Sequence, residues 1–292
     1  MDQAEQLRNI VKKNQQWSTS KARIFTVTSG KGGVGKSNVV VNLAVHMQRL
    51  GKKVIIFDAD LGLANVEIMF GAIPKYNLSD LIYRGKTIQE IITPGPMDIG
   101  FISGGSGITG VNNLSKEKLK FLVHNLSELD GLADIILIDT GAGISDHVLE
   151  FVMASPEILL LATSEPSSLT DAYSLLKALH RNPEFRQAQT KIKVISNRVV
   201  TEEEGMGIYE KLNAVVGQFL KGNLEYLGMI PQDAAMEKAV RQQQPVSILY
   251  PEAKSSRAFE VLTGNLLDGN TVPLYAKKGI MQLLSRFIYK RG

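Results

Sequence analysis

Residues Gly30 to Ser37 read Gly-Lys-Gly-Gly-Val-Gly-Lys-Ser, a complete G-x-x-x-x-G-K-[ST] loop. An apolar, β-rich run, Ile24 to Thr28, precedes it, and an apolar-periodic segment from Lys36 to about Leu50 follows it. The order strand, glycine loop, helix is the context in which this pattern binds phosphate. The glycines let successive backbone N–H groups turn toward phosphate oxygens, and the helix N-terminus adds partial positive charge. Lys36 is placed to reach the outer phosphates and Ser37 to offer its hydroxyl to Mg²⁺. The fold such a loop needs is an α/β one, a mainly parallel twisted sheet with helices on both faces and ligand at the sheet's C-terminal edge.

A second lysine, Lys31, follows the first glycine and makes the pattern K-G-G-x-G-K-[ST]. This resembles the deviant Walker A loop of the MinD/ParA family of dimerising ATPases. The resemblance implies ATP and Mg²⁺ as cofactors, contacts from Gly30, Lys31, Gly32, Gly33, Val34, Gly35, Lys36, Ser37 and Asn38, and a role for Lys31 on the phosphates of a partner copy. The chain has no cysteine, which excludes disulfides, thiolate zinc sites and iron–sulfur clusters, and with them the cluster-carrying branches of the family.

Two further strand ends carry carboxylates. Val54 to Phe57 lead into Asp58-Ala59-Asp60-Leu61-Gly62, and two acids at i and i+2 on extended chain share a side. Beside phosphates they suit a metal shell or the orientation of an attacking water. The resemblance to the family's D-x-D-x-G switch assigns Asp60 to the water and Asp58 to the metal's outer shell. Ile135 to Ile138 deliver Asp139, followed by Thr140-Gly141-Ala142-Gly143, the arrangement of a Walker B aspartate with a mobile loop after it. Ser37, Asp58 and Asp139 are thus the candidate metal residues, and Lys31, Lys36 and Asp60 the candidate catalytic ones. Ile99–Ile102 and Ile158–Ala162 read as further strands, and a helix is expected from about Ser115 to Leu129. A strand from Ile192 to Ile195 ends in Ser196-Asn197-Arg198, and Gly228-Met229-Ile230-Pro231-Gln232-Asp233 follows later. Both resemble the family's base-binding segments, which brings in Asn197, Arg198, Pro231 and Asp233.

The ends differ from the body. Residues 1–20 form a polar leader whose Ala4, Leu7 and Val11 fall at helical spacing. Its Asp2, Gln3, Ala4, Leu7 and Arg8 resemble the leader of the FlhG family of flagellar number regulators (also called FleN or YlxH). That resemblance implies docking on the GTPase FlhF and stimulation of its hydrolysis, with flagellar basal-body or C-ring components as further partners. Residues 21–272 are read as the ATPase domain. In residues 273–292, Ile280, Leu283, Leu284, Phe287 and Ile288 make one helical stripe. Five basic residues and no acid from Lys277 onward carry +5 of a net charge of +4, leaving about −1 for the rest. Such a helix is too short to span a bilayer and suits an anionic lipid surface. The expected location is cytoplasmic, reversibly peripheral on the inner face of the cell membrane. With the basic charge confined to the tail, no specific nucleic acid is expected. A division-site MinD, a ParA-like DNA segregator and a nucleotide-binding scaffold without turnover stand as alternatives.

Overall fold

The computed structural model describes residues 22–60, 65–105, 116–185 and 187–268. The leader, Leu61–Ala64 and the C-terminal stripe therefore lie outside the described residues. Among the described residues eight strands form one sheet: β1 (Arg23–Thr28), β2 (Val54–Ala59), β3 (Thr93–Pro94), β4 (Gly100–Ile102), β5 (Ile135–Thr140), β6 (Glu157–Ala162), β7 (Lys191–Val199) and β8 (Glu225–Pro231). Their order is β3-β4-β2-β5-β1-β6-β7-β8, and every pairing is parallel except β3 with β4 at one edge.

The helices among the described residues are α1 (Lys36–Arg49), α2 (Asn65–Phe70), α3 (Leu78–Tyr83), α4 (Ile88–Ile91), α5 (Lys116–Ser127), α6 (Leu129–Leu132), α7 (Asp146–Ala154), α8 (Pro166–Arg181), α9 (Glu202–Leu220), α10 (Ala234–Arg241), α11 (Val246–Leu249) and α12 (Lys254–Asp268). They cover both faces. Strand side chains alternate between the two, as a period of two requires. Phe25 and Val27 of β1, Leu137 of β5 and Leu159 of β6 pack with α1, α2 and α10 to α12. On the opposite face Ile24, Ile136 and Ile138 pack with α3 to α7, and Ile158 and Leu160 with α7 to α9. The central strands are apolar on both faces and buried throughout, which is why they stand out in the sequence as continuous runs.

The register fixes the site. Val27 and Asp58 both pair with Asp139, so the ends of β1, β2 and β5 are level and their following loops meet at one place. Two elements differ from expectation. The helix expected to run to Leu129 breaks at Glu128, because α6 turns to bury Leu129 and deliver Ala133 to the core before β5. Strand β7 continues past Ile195 through Asn197 and Arg198 to Val199, because β8 lies alongside it. A register irregularity between Asn197 and Val199 accompanies Arg198 at φ 58°, so the extended strand also turns a side chain toward the sheet's C-terminal edge.

Beside this apolar packing, Ser247 ties helix α1 to the C-terminal part of the domain by hydrogen bonds. Ser247 donates its N–H to Asn42 Oδ1 at 2.9 Å, shares a 3.0 Å hydrogen bond with His46 Nε2, and accepts from Arg49 at its carbonyl at 2.6 Å. Asn42, His46 and Arg49 lie at i, i+4 and i+7, one face of the helix. Burial, with the Arg49 charge adding to it, holds the His46 imidazole down at about 4. A histidine kept neutral in the fold but free to protonate when unfolded stabilises the fold above the unfolded pKa and loses that contribution as pH falls. Between pH 7 and pH 4 the parent is therefore expected to lose on the order of 3 kcal/mol of unfolding free energy that a His46→Gln variant does not lose. Urea titrations of both chains across that interval measure it, and parallel curves would refute the assignment.

Candidate functional site

Between β1 and α1 the phosphate loop is shaped by two glycines with positive φ, Gly33 at 74° and Gly35 at 101°. Gly35 is the N-cap of α1, makes no side-chain cap, and no acid stands in the first turn. The first N–H groups of a long helix thus point into open space, the arrangement that accepts an anion. Gly30 has a different reason to be glycine. A Cβ there would lie 2.1 Å from the backbone of Asp171, so its absence lets α8 press directly on the loop.

A cleft of about 560 Å³ opens above the loop and gathers most of the predicted phosphate-end residues. Gly32, Gly33, Gly35, Lys36, Ser37 and Asn38 line one side. Asp60 and Gly141 of the other two loops face them. A second cavity of about 470 Å³ continues from it, lined by Asn197, Arg198, Pro231 and Asp233, the residues taken for the base. Gly35, Asn38 and Arg198 border both, so the two cavities form one run of the size a nucleotide needs.

Lys36 is buried, and its Nζ donates to Ser29 Oγ at 3.3 Å. Burial pushes its pKa down while the charges of Asp139 and Asp60 pull it back up. Asp139 is fully buried, and neither carboxylate oxygen makes a hydrogen bond of ordinary geometry. Burial raises it to about 7, against the opposing influence of the Ser37 hydroxyl and Lys36. Asp58 is raised well above the usual carboxylate range, by burial first and by neighbouring Asp139 second. Its two oxygens accept the N–H groups of Asp60 at 3.1 Å and Val66 at 3.3 Å. Asp60 accepts from Asn65 Nδ2 at 3.0 Å, and its other oxygen faces Gly141.

Two adjacent carboxyls raised by burial, one with unsatisfied oxygens beside a serine hydroxyl, fit a divalent cation. Among the described residues no three acidic, imidazole or thiolate side chains converge on one point. That suits Mg²⁺, which takes one or two protein ligands and completes its shell with water and phosphate. Ser37 and Asp139 are the direct candidates. Asp58 has both oxygens engaged by backbone N–H groups.

Other predicted residues have second tasks. Lys31 Nζ is held by Glu165 Oε2 at 2.5 Å and Ser167 Oγ at 2.8 Å, at the start of α8. Glu165 is the N-cap of α8 but caps nothing, its carboxylate being spent on Lys31, whose hydrogen bond and charge hold it below the usual range. Asn197 donates to the Val34 carbonyl at 2.7 Å and accepts from the Arg198 N–H at 2.9 Å, while Arg198 donates to the Gly33 carbonyl at 2.9 Å. Both brace the loop, and the Asn197 amide keeps one donor and one lone pair for a base edge. Asp233 caps α10 through Ala235 and also accepts the N–H and hydroxyl of Ser255 on α12. Burial would raise its carboxyl, but these bonds outweigh burial and hold it low. Sequence reading missed Met69 and His147 on the cleft wall, where no residue pattern announces them. It also missed the Asn65 contact, for which the five-residue step from Asp60 was the available clue.

Together, the parallel sheet and the loop at its C-terminal edge define a P-loop nucleotide-binding protein of the α/β class. Residues 25–246 match the model of the CobQ/CobB/MinD/ParA nucleotide binding domain. Over 248 residues the chain is 38% identical to the antiactivator FleN of Pseudomonas aeruginosa, covering 85% of this chain and 87% of that one. It is 33% identical to the flagellum site-determining protein YlxH of Helicobacter pylori, with coverages of 84% and 82%. Among solved structures, the septum site-determining protein MinD of Pyrococcus horikoshii, complexed with Mg-ADP, superposes with a TM-score of 0.68 at 26% identity, covering 84% of this chain and 96% of that one. The chain belongs to the MinD/ParA family of nucleotide-binding proteins.

Proposed function

We propose that this chain is an Mg²⁺-dependent ATPase that pairs on ATP, binds an anionic membrane through residues 280–288, and controls flagellar number or placement by presenting its leader to the GTPase FlhF. The observation that carries the enzymatic part is that Lys36, Ser37 and Asp60 line one cleft, with Asp139 buried beside them. The flagellar part is supported by two relatives, one named an antiactivator FleN and the other a flagellum site-determining protein. The leader's likeness to the FlhG family supports the choice of FlhF.

In this reading the loop N–H groups and Lys36 hold the outer phosphates, and Ser37 and Asp139 hold the cation. When bound, Mg²⁺ neutralises phosphate charge and draws both raised carboxyls into their ionised form. Asp60, fixed by Asn65 and next to the glycine loop after β5, orients the attacking water. Lys31 leaves Glu165 and reaches the phosphates of a second copy. A tail of this size binds lipid only marginally, so two tails on one pair gain avidity of roughly 10²–10⁴. Hydrolysis separates the pair and releases it. Among the described residues no helix is long and apolar enough to cross a membrane.

Liposome sedimentation tests the switch. The parent should pellet with anionic vesicles in ATP, and pelleting should fall with ADP or without the last sixteen residues. Asp60→Ala should still pellet in ATP while its lipid-stimulated turnover drops by about 10²-fold or more. Equal turnover in parent and variant, or none in either, would remove the catalytic assignment. A division-site role, the alternative consistent with the MinD likeness, predicts that deleting residues 1–20 leaves partner function intact.

A further inference from the structure

At the opposite end of the sheet from the nucleotide cleft, the N-terminal ends of β2 and β4 border a groove of about 470 Å³. Ile92, Pro94 and Leu132 supply apolar walls, and Lys53 and Asp98 put one charge of each sign at its rim. Gln48 lines it too. None of these residues takes part in the phosphate or base cavities.

The start of β1 points to the occupant. Ala22 is buried in the same cluster as Leu129 and Ala133, so the chain enters the sheet on the face that carries α4 and α6. Arg23 donates its N–H to the Asp134 carbonyl, and Asp134 Oδ2 accepts the N–H of Lys53, a groove residue. Only β5 separates β1 from β2, a lateral distance of about 10 Å. Residues 12–21 could extend some three times that far, up to ~33 Å. The other end of the chain follows α12, which packs against β8 at the far edge of the sheet and against α1. The leader also has the matching chemistry: Leu7 and Val11 at i and i+4, with acidic Glu5 and basic Arg8 and Lys12 around them.

We propose that residues 1–21 fold back onto this groove and seat Leu7 and Val11 against Ile92, Pro94 and Leu132. The leader is then stored on its own body. Resting on the reading of the leader as a partner-activating segment, this makes the groove and the partner competitors for the same residues, so the leader acts only where a partner outcompetes the groove. Tethering makes the competition strong, since a short linker gives an effective concentration in the millimolar range.

The absence of cysteine makes cross-linking in the full chain a clean test. Val11→Cys paired with Gln89→Cys, at high dilution under mild oxidation, should close an intrachain disulfide at least about tenfold faster than Val11→Cys paired with Val200→Cys at the opposite edge of the sheet. Adding Leu132→Asp, a change at a partly exposed position, should bring the first rate down to the second. Equal rates in the two pairs would overturn the proposal. So would a product linked between two chains, which would give the groove to a neighbour's leader. A peptide of residues 273–292 that slows closure more than a peptide of residues 1–21 would assign the groove to the tail instead. None of these readouts depends on FlhF, so the leader's partner role can fail without the docking, and the docking without the partner role.

Discussion

A Lys36→Met chain is expected to fold as well as its parent and to lose nucleotide. Lys36 is 8% exposed, and its ammonium has one long hydrogen bond to Ser29 Oγ and among the described residues forms no ion pair. Burial is the largest influence on it and acts against its charge. Replacing a poorly compensated buried charge with an apolar side chain of similar volume is neutral or stabilising more often than not. Methionine also follows the stem of the lysine. In the proposed site, what the fold gives up for Lys36 would be recovered when triphosphate arrives with charge to match. Affinity for MgATP should therefore fall by about 10²-fold or more, and turnover by about 10³-fold, the scale seen when a preorganised charge on a developing phosphate is removed. Calorimetric titration with MgATP and thermal melts of the free chains read the two halves separately. A variant that melts well below the parent would make Lys36 structural, and one that binds MgATP equally well would take it out of the site.

The same opposition between stability and chemistry explains which parts of the site could be read in advance. Asp58 and Asp139 were visible because each ends a run of residues too apolar to tolerate a carboxylate without a use for it, and the structure buries both. The phosphate loop was visible because glycine at positive φ and lysine at the start of a helix leave a pattern in a contiguous stretch. Contacts made across the sheet left no such trace. Lys31 and Glu165 are 134 positions apart, and they meet because β6 lies beside β1, an order of strands that local periodicity does not encode. For the same reason Asn197 and Arg198 could be assigned to a ligand but not to the Val34 and Gly33 carbonyls they also hold. The clash that a Cβ at Gly30 would make with Asp171 belongs to this group too. The residues that brace a site come from whichever elements the topology brings alongside it, whereas those assigned to the chemistry sit at or just after the ends of its own strands.

Lys31→Ala is expected to separate binding from pairing. In the single chain Lys31 bridges to Glu165 and Ser167 at the surface, with the two charged side chains 36% and 56% exposed. Ion pairs this open to water contribute little, so the variant should melt with its parent. Within one copy Lys36 and the loop N–H groups would already meet the phosphates in the proposed site, so affinity for MgATP should change by no more than about threefold. The loss should come at the next step. In the proposed pair a second copy would bring phosphate charge to the mouth of the cleft, where a lysine freed from one exposed carboxylate would gain several charged oxygens in a site that closure shields from water. Without that contact, sedimentation velocity in a non-hydrolysable ATP analogue should show a monomer at concentrations where the parent is paired. Turnover should fall by about 10²-fold or more, because the water is not excluded and the phosphate charge is not met. If the variant pairs as the parent does and turns over at the same rate, the closed pair is not what hydrolyses ATP, and Lys31 belongs to the surface of a chain that works alone.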